Sequence, residues 1–195
     1  MKRTAPQNRS TDFGLRTRRT VATLVAALLF AGPAAAATAT IKTEHITAEV
    51  TVADETVAPG DTVEVAVRQR VAEGWHTYWE NPGDSGAPTL FGWTLPDGAT
   101  AAPIQWPTPE LVPYPPLVNY GYSGETTYLT SITVPPDWTA GEPLPVGLAI
   151  DWLVCSDICI PESGTTSFEL ATAGRTEADS SIAFTLLKAR QAMPQ

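Results

Sequence analysis

Between residues 44 and 170 the chain is written in short runs where apolar and polar side chains alternate, each run closed by proline or glycine. In 44–52 the apolar positions are Ile46, Ala48, Val50 and Val52. After the turn Ala58-Pro59-Gly60-Asp61, the run 62–71 sets Val63, Val65 and Val67 on one face and Glu64, Arg68 and Arg70 on the other. Successive side chains of an extended chain point to opposite sides, so a period of two marks a strand with one buried face. Five further runs read the same way: 89–95, 100–106, 126–134, 144–154 and 165–170. Seven such strands with turn signals between them predict an all-β chain folded as an antiparallel β-sandwich. The proline- and glycine-rich segments 80–88 and 107–116 read as two long loops, a length often given over to function in a compact domain. The period changes once. Beyond the polar stretch 172–179, Ile182, Ala183, Leu186 and Leu187 form a stripe that predicts a short C-terminal helix over 180–193, capped by Asp179 or Ser180.

The first residues follow a different pattern. Arg16, Arg18 and Arg19 precede an apolar run of eleven residues from Val21 to Ala31, and a Gly-Pro-Ala-Ala-Ala-Ala segment follows. A basic start, a short apolar stretch and a small-residue cleavage site describe a secretory signal peptide over 1–37. The run is too short for a membrane-spanning helix, which needs about 20 apolar residues. Cleavage near Ala36 or Ala37 predicts an exported, periplasmic protein in a compartment where disulfides persist.

Charge sharpens this division. The whole chain of 195 residues carries a net charge of −9, yet residues 1–37 hold six of its 12 Lys/Arg and one of its 21 Asp/Glu. The body beyond residue 37 is therefore strongly acidic. Nucleic-acid binding rests on clustered Lys and Arg that neutralise phosphates, and it is excluded as a function class. With two cysteines and two histidines in all, a metal site has few ligands to draw on. A copper or zinc site built from His76 and both cysteines lacks further donors, and no metal or cofactor is expected.

The constellation with obvious chemistry is Cys155-Ser156-Asp157-Ile158-Cys159. Leu148, Ile150, Trp152 and Val154 share one face of the incoming strand, so Asp151, Leu153 and Cys155 share the other. If 156–158 form a three-residue hairpin loop, the cysteines stand directly opposite each other, within reach of a disulfide. Such a bond is either a structural staple or a redox reagent. As a staple it is weak: closing a loop of about five residues removes only about 2 kcal/mol of chain entropy, against about 4.7 kcal/mol for a hundred-residue loop. Asp151, Asp157 and Glu162 flank the pair in sequence, with no Lys, Arg or His within ten residues. Neighbouring carboxylates disfavour a thiolate, which suits a disulfide attacked by a partner's thiolate better than an aggressive free nucleophile. The spacing is not C-x-x-C and no βαβ pattern surrounds it, so the chain is not a thioredoxin.

Four motifs in order resemble one family: Gly74-Trp75-His76-Thr77-Tyr78-Trp79-Glu80-Asn81-Pro82-Gly83-Asp84-Ser85-Gly86, Gln105-Trp106-Pro107, Val118-Asn119-Tyr120-Gly121-Tyr122, and Trp152-Leu153-Val154-Cys155-Ser156-Asp157-Ile158-Cys159-Ile160-Pro161-Glu162. They are similar to the N-terminal periplasmic domain of the thiol:disulfide interchange protein DsbD, and nearest to its ScsB-like branch. The resemblance implies an immunoglobulin-like sandwich over 38–172, with 173–195 as linker and short helix. It implies that Cys155 and Cys159 shuttle between dithiol and disulfide, taking electrons from a membrane-embedded thiol reductase domain. The acceptors it implies are periplasmic thioredoxin-fold proteins that serve disulfide isomerisation or cytochrome c maturation. Relatives continue into further periplasmic sequence and membrane helices.

Mapped onto this chain, the resemblance brings His76 and Tyr78 close to the sulfurs, with Asp157 beside them. A cap loop over the cysteines corresponds to Val118-Asn119-Tyr120-Gly121. There Asn119 takes the place of a shielding aromatic found in some members, and Tyr120 or Tyr122 is available for that role. Trp75, Trp79, Trp93 and Trp106 read more simply as sandwich core. The competing function is a non-enzymatic periplasmic binding or adaptor module in which the disulfide is only a staple.

Overall fold

The computed structural model describes Met1 and residues 37–194, and the leader expected at 1–37 falls, but for its two end residues, outside them. The strands of the first half are β1 (Thr38–Lys42), β2 (Ile46–Val52), β3 (Asp54–Thr56), β4 (Thr62–Val71), β5 (His76–Gly83), β6 (Leu90–Thr94) and β7 (Thr100–Ala101). Those of the second half are β8 (Glu110–Tyr114), β9 (Leu117–Ser123), β10 (Glu125–Thr133), β11 (Leu144–Cys155), β12 (Cys159–Leu170) and β13 (Glu177–Ala178), followed by one helix, α1 (Ala183–Gln191). Two antiparallel sheets face each other, one in the order β1-β2-β4-β10-β7, the other β12-β11-β5-β9-β8 with β6 also on β11. The small pair β13-β3 lies apart from both. The sandwich and the short C-terminal helix are those the alternation predicts.

The core is the sum of the inward faces. Val63, Val65 and Val67 of β4 and Leu148, Ile150, Trp152 and Val154 of β11 are all buried in one cluster with Tyr122 and Tyr128. Removing that apolar surface from water is the main force holding the sheets together. Between the sheets lies a polar thread: the Gln69 amide donates to Thr77 Oγ1 at 2.7 Å, and the Tyr128 hydroxyl stands 3.4 Å from Thr89 Oγ1.

Several elements differ from the sequence expectation. The run 62–71 is a strand throughout, but of 100–106 only Thr100–Ala101 pairs regularly, with one bridge from Gln105 to Leu129. Pro103 and Pro107 lack the N–H a ladder needs. Conversely, both expected loops contain strand. Glu80–Gly83 continues β5, with a register irregularity against β9 between Tyr78 and Gly83. Glu110–Tyr114 forms β8, hairpinned onto β9. Pro113 is tolerated there because β8 ends its sheet, where one side of the strand needs no donor.

The helix is shorter than 180–193 and has no side-chain cap. Ile182 occupies the cap position, while Asp179 Oδ1 accepts from the Ser181 N–H instead. Leu186 and Ala189 pack on Ala66 and Leu129, the outward side of β4 and β10, with Ile182 and Met193 alongside. This i, i+4, i+7 stripe leaves Leu187 and Phe184 exposed.

Candidate functional site

The hairpin of β11 and β12 keeps its register to the tip, where Cys155 pairs with Cys159 and the two are joined by a disulfide. Their Cα atoms are 4.1 Å apart, and the Ser156 N–H donates to the Ile158 carbonyl within the three-residue loop. The two sulfurs are not equivalent: Cys155 is 1% exposed, whereas Cys159 is exposed. On its other edge Cys155 faces His76, the first residue of β5.

Strand alternation then decides what meets the sulfurs. Cys155 follows Val154 and so faces away from the core, and its cross-strand neighbour His76 shares that face, as does Tyr78 two residues on. The His76 and Tyr78 rings meet edge-on with centroids 5.2 Å apart. His76 Nε2 lies 3.4 Å from Tyr78 Oη, and Oη lies 3.8 Å from Cys159 Sγ. The segment after β5 folds back over this face. Gly86, at φ +98°, rests against the Tyr78 ring so closely that a Cβ would stand 2.3 Å from a ring carbon. Asn119 of β9 is buried and anchors that segment: its Oδ1 accepts from the Ser85 N–H at 3.0 Å and from Ser85 Oγ at 3.1 Å. The Gly86→Ala variant should therefore lose about 1–3 kcal/mol, seen as a lower urea midpoint. Gly74→Ala, at φ +79° with open space around it, should lose less because only backbone strain acts there.

The result is a small cavity of about 110 Å3 in which His76, Tyr78, Asn119, Asp157 and both cysteines come together. Tyr114 of β8 and Ser85 also line it, and neither stands out in the sequence because both sit in stretches that read as loop. Tyr120 lies elsewhere. Its ring meets Trp79 edge-on at 6.2 Å, while Tyr122 is core and donates its hydroxyl to the Pro107 carbonyl. Both follow from the period of two, since Asn119 and Tyr120 must point to opposite faces. The same rule removes Glu162 from the sulfurs: it pairs with Trp152 on the core-facing side and binds Thr43 and His45.

No lysine or arginine lines the cavity among the described residues, and Asp157 does. Burial holds the His76 imidazole below its usual value, against an opposing pull from the Glu110 carboxylate, and pushes the Tyr78 phenol up. Such a lining disfavours a thiolate. For metal, the described residues gather three ligand-type side chains once, at Glu44, His45 and Glu162, within 4.8 Å of one another. That group is away from the sulfurs, and the Glu162 carboxylate already accepts from Thr43 Oγ1, the His45 N–H and His45 Nδ1.

Comparison with known proteins adds two matches to this geometry. The family model described as thiol:disulfide interchange protein DsbD, N-terminal, matches residues 34–171. Among solved structures, the N-terminal periplasmic domain of ScsB from Proteus mirabilis superposes with a TM-score of 0.59 at 19% identity. That match covers 82% of this chain and 60% of the ScsB chain, and at this identity it speaks for the fold. A yeast GGA1 GAE domain is also found, with 14% identity over 65% of this chain and 95% of its own, but its TM-score of 0.35 carries no argument. No curated protein sequence matches the chain.

Proposed function

The chain belongs to the DsbD N-terminal family of thiol:disulfide interchange domains, and from that premise we propose that it relays electrons in the periplasm through Cys155 and Cys159. A membrane-embedded thiol reductase domain supplies the electrons, and periplasmic thioredoxin-fold proteins receive them. Residues 1–37 serve as the export signal, 38–172 as the exchange domain, and 173–195 as linker and helix.

The observation that carries the reading is the asymmetry of the disulfide. Cys159 is exposed and Cys155 is buried beside it, in a cavity that Tyr114 helps to line. Exchange needs a partner's thiolate to reach one sulfur in line with the bond while the other leaves. Attack on Cys159 with departure of Cys155 satisfies this, and no cofactor is involved. At the cavity, Ile158 and Tyr114 are exposed apolar side chains, a surface suited to docking a protein rather than a small solute.

The test is equilibrium titration of the Cys155–Cys159 pair against glutathione, followed by dithiothreitol. An exchange domain should show a potential above about −300 mV, whereas structural bridges lie below it. A bridge inert to both couples, together with unchanged function when both cysteines are serine, would establish the adaptor module with a static staple.

A further inference from the structure

Within the cavity, one chain of contacts leads from the accessible sulfur to a titratable side chain. Cys159 Sγ, Tyr78 Oη and His76 Nε2 stand in line at separations of 3.8 and 3.4 Å. Tyr78 is 2% exposed and Gly86 lies against its ring, so the ring is held with its oxygen between the two partners. We propose that His76 is the proton acceptor for the Cys159 thiol, reached through the Tyr78 hydroxyl. This deepens the exchange reading and rests on it, since only a working dithiol needs its nucleophile deprotonated.

The need is set by the pocket. Asp157 disfavours a thiolate and no lysine or arginine lining the cavity offsets it, so the surroundings favour the protonated thiols of the reduced pair. As the dithiol reacts, the Cys159 S–H proton moves to Tyr78 Oη while the Tyr78 hydroxyl proton moves to His76 Nε2. His76 must therefore be the tautomer that carries its proton on Nδ1. Tyr78 ends neutral, His76 is an imidazolium, and Cys159 is a thiolate. The thiolate's electron pair forms a bond to one sulfur of the acceptor disulfide, and the other acceptor sulfur leaves with the electrons of the broken bond. It takes up a proton equivalent to the one His76 releases. Cys155 then attacks Cys159 Sγ, re-forming the 155–159 bond, and its own proton goes to the second departing thiolate. Two electrons and two protons have passed to the acceptor.

The charged and titratable groups around His76 fit this role. From β8, the Glu110 charge favours the imidazolium once it forms, and Tyr114 closes the same cavity. From the hairpin come Asp157 and the cysteines; from its own strand, Tyr78. Burial keeps the imidazole neutral at pH 7 and ready to accept, and keeps the phenol from ionising by itself.

The experiment uses the full chain, reduced with a phosphine and freed of it, so that thiol kinetics are read whatever the equilibrium potential. The reaction with 5,5′-dithiobis(2-nitrobenzoate) is followed from pH 5 to pH 10. The expected profile rises first below pH 6.5, as His76 loses its proton, then levels, then rises again as free thiolate forms. His76→Phe and Tyr78→Phe should each abolish the plateau, leave a single thiol-controlled limb, and slow the reaction at pH 7 by about tenfold or more. The double variant should be no slower than either single one, because both act in one path. A wild-type profile with one limb, or a loss of the same factor at every pH, overturns the proposal and leaves both residues as packing. Tyr78→Phe removes a single oxygen, so the test survives if His76→Phe folds poorly. Failure of the exchange reading shows separately, as a pair that equilibrates with neither glutathione nor dithiothreitol.

Discussion

Cys155→Ser and Cys159→Ser should behave as opposites when challenged with a thioredoxin-fold protein held in its disulfide form. The Cys155→Ser chain keeps its thiol at the accessible position and should accumulate a mixed disulfide, because the group that would resolve it is gone. The Cys159→Ser chain keeps only the thiol of Cys155, a residue 1% exposed in the cavity that Tyr114 also lines. A partner sulfur must approach to bonding distance along the line of the bond being broken, and the burial of Cys155 closes that approach to a protein thiol. The trapped fraction should therefore differ by at least about tenfold between the two variants, read on a non-reducing gel after alkylation. The leaving-group side of the reaction agrees, since Cys155 re-forms the internal bond from within and never has to meet solvent. Equal trapping by both variants would show that the hairpin opens before it reacts, and the asymmetry would then carry no mechanism. Double-serine protein supplies the baseline for non-specific capture.

How much of this is legible before a structure depends on what alternation can and cannot report. The run 62–71 is read correctly because one face of it is wholly apolar, and the hairpin pairing of Cys155 with Cys159 follows from a three-residue loop and a fixed strand direction. Among the strands that are missed, β5 and β8 carry Pro82 and Pro113. Proline reads as a breaker, yet an edge strand and an irregular ladder tolerate it. Their loss hides two residues of the site, Tyr114 and Ser85, which reach the sulfurs only through those elements. Other misplacements arise where neighbours in sequence are taken as neighbours in space. Tyr120 stands next to Asn119 and Glu162 stands three positions from Cys159, but each points to the opposite side of its strand from the sulfurs. For Glu162 the signal is present: extending the hairpin register three pairs from the cysteines sets it across from Trp152, on the apolar face. Asn119, in turn, serves the cap by anchoring Ser85 rather than by shielding sulfur with a ring.

Replacing Glu162 by Ala should destabilise the fold more than any other change to a charged side chain in the described body. Glu162 is 8% exposed and joins β12 to the turn between β1 and β2, accepting from Thr43 Oγ1, the His45 N–H and, at 2.5 Å, His45 Nδ1. The His45 ring in turn lies against Trp75 with centroids 3.9 Å apart. Truncation leaves the His45 N–H and Nδ1 without their acceptor in a nearly closed site and Thr43 Oγ1 with only the Ile46 carbonyl, a loss of about 3 kcal/mol or more. Glu162→Gln, which keeps the shape and one acceptor oxygen, should lose about half as much. Acid adds a second signature. Burial alone would raise the Glu162 carboxyl, but the hydrogen bonds from Thr43 and His45 outweigh it and hold the group below its usual 4.5. A folded-state value below the unfolded one means the stabilisation is complete above about pH 4.5 and is lost as pH falls through the lower value. His76 acts higher in the range: burial depresses it below 6.5, so the unfolded chain binds that proton first and stability declines as pH drops below 6.5. Urea midpoints from pH 7 to pH 3 should thus fall in two stages, with Glu162→Ala shrinking the lower stage, to which Glu49 beside Arg68 and Arg70 also contributes, and His76→Phe removing the upper. Because Glu162 faces the core side of β12, the alanine variant should react with 5,5′-dithiobis(2-nitrobenzoate) at close to the wild-type rate while it remains folded. A variant within about 1 kcal/mol of wild type at pH 7, or one whose thiol kinetics collapse with its stability intact, would mean that the two faces of this hairpin are coupled rather than independent.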